Sequence, residues 1–239
     1  MRIDYYLVSQ GYFDSRTKAK QAIERGEVFL NGKAIVKSSL DVNDKDMFNV
    51  EITSPKSFVS LGGYNLDKAL DDFDFSVTGL RVADIGASTG GFTDCLLQRG
   101  AERVFAVDVS DSLLHNKLQK DSRVISIIKN ARELTCTDFD CEIDLIVADL
   151  SFISATYVMD TFYNLIKSNK NLILLIKPQF EVVSKVKFKN GIIRDEKIRE
   201  RACKSVIDCA LDCGFKFDRI TTAPIVNQKN VEYLALFTK

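Results

Sequence analysis

From residue 79 onward, apolar runs alternate with polar or amphipathic stretches, and that alternation leaves few folds open. The runs read RVADIGA, RVFAVDV, RVISIIK, DLIVADLS, NLILLIKP, FKFDRITTA and VEYLALFT. Helical segments, or polar stretches long enough for crossovers, separate the first five. This predicts an α/β chain with a mostly parallel, doubly wound sheet. The last two runs are joined only by PIVNQKN, too short for a parallel crossover. The final strand is therefore predicted to run antiparallel.

The first sixty residues follow another pattern. RIDYYLVSQG has helical apolar spacing and stops at Gly11, and SRTKAKQAIERG offers Ser15 as an N-cap and Gly26 just past its end. Asn31-Gly32 between apolar runs in EVFLNGKAIV is a hairpin signal, and MFNVEI supplies one more strand. Two helices and a small sheet form a separate module, with TSPKS as its linker.

Lys+Arg and Asp+Glu balance at 33 each, so any basic surface must be local. No basic stretch followed by an apolar core opens the chain, and the most apolar runs are too short to span a bilayer; a cytoplasmic protein is expected. The six cysteines (Cys95, Cys136, Cys141, Cys203, Cys209, Cys213) show no CxxC spacing, so reduced thiols and no metal site are expected.

In a doubly wound sheet, ligands bind beyond the carboxyl ends of the strands at the switch point. The GASTGG turn, residues 86 to 91, lies there. It departs from the dinucleotide G-x-G-x-x-G pattern, so a nicotinamide cofactor fits poorly. Asp108 ends the second strand, where a carboxylate can accept both hydroxyls of a ribose; the alternative is a helix N-terminal acid. Asn130, after the third strand, could meet an adenine edge or simply serve a turn. Asp84 is a carboxylate inside an apolar strand and needs a partner, which the amino group of a methionine moiety would provide. Together these features point to S-adenosylmethionine.

The segments DIGASTGGFTDCLLQRGA, VDVSDSLLHNKL, NAREL, DLIVADLSFIS, LIKPQFE, GIIRD and NVEYL occur in this order. They resemble the TlyA/haemolysin A family of S-adenosylmethionine-dependent ribosomal RNA methyltransferases, whose catalytic domain is of the FtsJ type. The segments R-I-D-x-Y-L, S-R-x-K-A-K-x-A-I and G-x-V-x-L-N-G-K of the head resemble an S4 RNA-binding domain. The resemblance covers essentially the whole chain. It implies an S4-like α+β domain over residues 1–58 and a Rossmann-like methyltransferase domain over 59–239, with a seven-stranded mixed sheet and an antiparallel last strand.

The resemblance further implies 2′-O-methylation of ribose in ribosomal RNA. Asp84, Gly86, Ala87, Ser88, Thr89, Gly90, Gly91, Phe92, Asp108 and Asn130 would hold the cofactor. The FtsJ-type catalytic set is Lys-Asp-Lys-Glu. Lys177 would contact the hydroxyl and help deprotonate it, Asp149 would orient both, and Glu232 would hold the network from the far side. A structural ion-pair cluster is the alternative for these three. At the fourth position the sequence departs from the family. Where the family reads roughly V-S-R-G-G-x-K-L-x-K-A-L, this chain has VSLGGYNLDKAL, placing Leu61 for arginine and Asn65 for the catalytic lysine. Lys68, three residues on, could substitute or be an ordinary solvated lysine. The single histidine, His115, is read as an incidental helix residue.

The head holds nine Lys/Arg against eight Asp/Glu in residues 1–60. Arg16, Lys18, Lys20 and Arg25 with Lys33 nevertheless form a local basic group that could track phosphates. The expected partner is ribosomal RNA or a ribosomal subunit. Two other functions compete: a non-catalytic RNA-binding factor that keeps the cofactor pocket, favoured by Leu61 and Asn65, and a membrane-lysing protein. The last rests only on the haemolysin name of relatives, and no evident amphipathic membrane helix supports it.

Overall fold

Asn31 and Gly32 close the predicted hairpin with φ of 49° and 74°, the left-handed pair that matches the twist of two short antiparallel strands. They sit in a unit, Met1–Ser57, of the computed structural model. The structure describes all residues except 25, 44, 45, 47, 54–56, 111, 112, 183–187, 189, 190 and 225–229. Helices α1 (Ile3–Ser9) and α2 (Arg16–Glu24) are followed by β1 (Val28–Leu30), β2 (Lys33–Ala34) and β3 (Val50–Ile52), paired in the order β2-β1-β3. Ser15 Oγ accepts from Lys18 N at 3.3 Å, the cap that the sequence predicts. Ile3, Leu7, Ala19, Ile23 and Val28 form the fully buried centre.

The second unit begins at Phe58. Its elements are α3 (Leu61–Asp72), β4 (Arg81–Ile85), α4 (Gly91–Gln98), β5 (Arg103–Asp108), α5 (Asn116–Gln119), β6 (Val124–Ile128) and β7 (Leu145–Ala148). They continue as α6 (Met159–Leu165), β8 (Asn171–Ile176), α7 (Pro178–Glu181), α8 (Glu196–Asp212), β9 (Lys216–Thr222) and β10 (Tyr233–Thr238). The sheet runs β6-β5-β4-β7-β8-β10-β9. Strands β4 to β8 are mutually parallel, and β10 is antiparallel to both its neighbours, as the short last connection requires. Between β6 and β7 the crossover is only two 3-10 turns, Ala131–Glu133 and Cys136–Asp138.

Both faces of the sheet are covered. Phe105, Ile146, Phe162, Val206 and Phe237 pack on one side; Val82, Leu66, Leu70, Leu96 and Leu234 pack on the other. Each such side chain contributes roughly 1.5–3 kcal/mol by leaving water. Helices α3 and α4 approach at their glycines. A Cβ built on Gly63 would lie 2.9 Å from the Gly91 carbonyl oxygen, and one on Gly91 would lie 2.9 Å from Gly63 N. The start of α3 is thereby fixed against the helix that follows the glycine-rich turn.

Candidate active site

The strand order reverses between β4 and β7, and the backbone there is drawn tight. Gly86 N and Ala87 N both donate to the Val107 carbonyl, at 2.9 and 3.0 Å, and Asp149 N donates to Ile85 O at 3.0 Å. Gly86 has φ +86°, and a Cβ on it would stand 2.3 Å from Asp149 O. Only glycine lets the two strand ends come this close. Ser88, at φ 50°, turns its N–H onto Asp108 Oδ2 at 2.9 Å, while Asp108 Oδ1 accepts from Val109 N at 2.7 Å.

A cavity of about 430 Å³ opens beyond these strand ends. Gly86, Ser88, Asp108, Asn130 and Asp149 line it, together with Leu113 and the segment Leu150–Ile153. The volume is that of a small-molecule site. Asn130 caps the following 3-10 turn, its Oδ1 accepting from Arg132 N at 3.0 Å, so its turn role is real and it still borders the cavity. A larger cleft of about 850 Å³ lies at the opposite, amino end of the strands, among Asp140, Glu142, Lys167 and Lys239. It has neither glycine turn nor strand-end acid, so size alone does not choose between them.

Ala87, Thr89, Gly90, Gly91 and Phe92 do not line the cavity. Gly90 caps α4 at φ 92°, and Phe92 is buried with its ring against Gly62. These residues shape the turn from behind. Asp84 is fully buried below it. Thr93 Oγ1 donates to Asp84 Oδ2 at 2.6 Å, and Oδ1 is buried without a hydrogen-bond partner. Burial, aided by the Asp149 and Asp108 charges and opposed by Thr93, pushes the Asp84 carboxyl up to about 7. An orphaned buried carboxylate oxygen fits a cationic ligand group.

Beside the cavity, Lys177 Nζ stands 2.5 Å from Asp149 Oδ1 and donates to Ser151 Oγ at 2.9 Å. Glu232 lies one residue beyond the Tyr233–Ile176 pair of the antiparallel ladder, and Gln179 Nε2 donates to its Oε1 at 3.2 Å. Asp149 and Lys177 therefore meet directly, while Glu232 bonds Gln179, whose Oε1 is buried without a hydrogen-bond partner among the described residues; sequence reasoning missed Gln179 and Ser151. Asn65 is half-buried on α3. Lys68 is held by Asp72 and by Thr221 Oγ1 at the sheet edge, so it is no free replacement for a missing lysine. His115 caps α5, Nδ1 accepting from Lys117 N at 3.2 Å.

The FtsJ-like methyltransferase family model matches residues 58–239, and the S4 domain model matches residues 1–48. The chain belongs to the TlyA/haemolysin A family of FtsJ-like methyltransferases. Hemolysin A of Brachyspira hyodysenteriae is 42% identical over 240 residues, covering 99% of each chain. The 16S/23S rRNA (cytidine-2′-O)-methyltransferase TlyA of Mycobacterium tuberculosis is 37% identical, covering 97% of this chain and 87% of that protein. A solved haemolysin-named structure from Streptococcus thermophilus superposes with TM-score 0.73 at 35% identity, over 100% of this chain and 88% of that one. Solved S-adenosylmethionine-dependent methyltransferases share the fold at TM-score 0.55. Like the rest of this family, the chain uses S-adenosylmethionine. Gly86, Ser88 and Asp108, with Asp84 beneath, fit that cofactor.

In the head, the basic group is largely paired within its own unit. Arg16 and Arg2 each reach Asp4 Oδ2 at 3.0 Å, Lys18 reaches Asp14 at 2.7 Å and Lys20 reaches Glu24 at 3.8 Å. Lys33 is exposed on the hairpin, and Arg25 lies outside the described residues. All six cysteines are free, and no metal-ligating cluster occurs among the described residues. No helix among them is long and apolar enough to cross a membrane.

Proposed function

We propose that the protein is an RNA ribose 2′-O-methyltransferase acting on ribosomal RNA, with its chemistry on the Lys177–Asp149 pair. The observation that carries this is the pair's position. The two groups are 2.5 Å apart at the carboxyl ends of adjacent parallel strands, with Asp149 on the wall of the switch-point cavity. The relatives named as ribosomal RNA cytidine-2′-O-methyltransferases support the substrate class. An S4-like head over residues 1–58 and a methyltransferase domain over 59–239 complete the reading, and a ribosomal substrate is met in the cytoplasm.

When bound, S-adenosylmethionine supplies an electrophilic methyl carbon on sulfonium. Asp108 would accept from its ribose hydroxyls and Asn130 would border its adenine, with Asp84, buried beneath the turn, as the carboxylate for its ammonium. The chain's own task is to present a weakly acidic hydroxyl in line with that carbon. Lys177 contacts the ribose 2′-oxygen, and the hydroxyl proton passes to the Lys177–Asp149 pair as charge develops on oxygen. Ser151 and Asp149 fix the lysine from two sides. Glu232, bonded by Gln179 opposite the end of β8, would support the pair from the far side.

A second reading, a cofactor-binding but non-catalytic RNA factor, is favoured by Asn65, which brings no positive charge to α3, and by the tethered Lys68. Transfer of labelled methyl to ribosomal subunits and to naked ribosomal RNA, followed by nucleoside analysis, separates the two. A 2′-O-methylated ribose is expected. Donor binding with no transfer to any RNA, repaired by Asn65→Lys with Leu61→Arg, would establish the second reading.

A further inference from the structure

Helix α7 directly follows Lys177, and its residues meet the segment after β7 at successive points. Lys177 bonds Ser151, and the Phe180 ring lies 5.4 Å from that of Phe152. Glu181 Oε1 accepts from Ala155 N at 2.9 Å and Glu181 Oε2 from Ser154 Oγ at 2.5 Å. The bonds repeat in the same direction along both segments, so 177–181 clasps 151–155 along its length.

Glu181 is unusual within this clasp. It is only 7% exposed, and the groups that bond it, Ala155 N and Ser154 Oγ, are neutral donors from one segment. Burial outweighs those bonds and pushes its carboxyl above the ordinary glutamate range. A buried carboxylate held by neutral donors is a costly way to gain stability, since an apolar side chain of that size would fill the space more cheaply. What it achieves is specific: two acceptors fix one backbone N–H and one hydroxyl. Ser154 Oγ is itself held by Thr156, accepting from Thr156 N at 3.2 Å and standing 2.7 Å from Thr156 Oγ1.

The clasped segment has something to hold. Phe152 adopts φ +68° and is 87% exposed, a conformation that is strained for a non-glycine residue and persists only where neighbours over-determine it. Leu150, Ser151, Phe152 and Ile153 form one wall of the cavity. We infer that Glu181 is a positioning residue that holds the 150–155 wall in the shape that the methyl donor requires. The inference rests on the reading of this cavity as the donor site.

The chain contains no tryptophan, so Phe152→Trp places a single, selectively excitable tryptophan on the wall. In that background, Glu181→Ala should lower the steady-state anisotropy of the tryptophan and weaken donor binding, measured by calorimetry, about tenfold. Glu181→Gln keeps a carbonyl for Ala155 N and should fall between the two. A folded Glu181→Ala protein with unchanged anisotropy and unchanged donor affinity would overturn the inference, even if it melts at lower temperature. Should Glu181→Ala fail to fold, Glu181→Gln decides by the same two readings. If the protein with Phe152 intact binds no donor, the functional reading fails, while anisotropy without donor still reports whether Glu181 holds the wall.

Discussion

Asp84 carries the sharpest consequence at the scale of one residue. Its folded-state pKa of about 7 stands above the unfolded value of 3.8. The group therefore favours folding most below the unfolded value, and that contribution is lost as pH rises toward 7. In the ligand-free protein at alkaline pH the ionised, half-partnered carboxylate is a net cost of roughly a few kcal/mol, because each pH unit between the folded and unfolded values corresponds to about 1.4 kcal/mol. Asp84→Asn should raise the melting temperature of the free protein at pH values above about 7 and weaken donor binding. Calorimetry near pH ~6 in buffers of differing ionisation enthalpy should show proton release on donor binding by the parent and none by the variant. Equal proton release in both would remove Asp84 from the site. In the head, the same chemistry reads differently: Asp4, 3% exposed, is satisfied by Arg2 and Arg16, so it calls for no ligand.

At the scale of elements, the contact between the ends of β4 and β7 is the most demanding packing feature of the site. Gly86→Ala would place a methyl 2.3 Å from the Asp149 carbonyl at a φ that side chains avoid. A loss of about 1–3 kcal/mol in chemical denaturation is expected, with weaker donor binding, because neither strand end can yield freely. The elements themselves were legible in the sequence because their signals are local. All seven apolar runs form strands, Asn31-Gly32 turns the hairpin, and the short PIVNQKN connection predicts the antiparallel β10. What stayed hidden depends on partners distant in sequence. Ser151 and Lys177 are 26 residues apart, as are Ala155 and Glu181, and only the parallel pairing of β7 and β8 brings these segments side by side. The tethering of Lys68 by Thr221 spans 153 residues and was equally invisible.

At the scale of the whole molecule, a formal net charge of zero would meet the polyanionic substrate proposed above. The sequence places a basic group on α2; i,i+4 spacing sets Asp14 by Lys18 and Glu24 by Lys20, but periodicity does not show that Asp4 of α1 stands within reach of Arg16. A chain with so much of its head charge paired releases few counterions on binding. The slope of log affinity for ribosomal RNA against log salt should be no steeper than about −3, with shape carrying the rest of the recognition. Filter binding across a salt series measures it, and a much steeper slope would mean that these ion pairs break on the RNA.

The central claim is that methyl transfer depends on Lys177 held by Asp149, and one comparison tests it most directly. Donor affinity by calorimetry and single-turnover methyl transfer to ribosomal RNA should be measured for the parent and for Lys177→Ala. Lys177 does not line the donor cavity, and its loss leaves the Phe180 and Glu181 contacts to the wall in place, so affinity should change far less than transfer, which falls by about 100-fold or more. A Lys177→Ala protein that transfers methyl at the parent's rate would contradict the account.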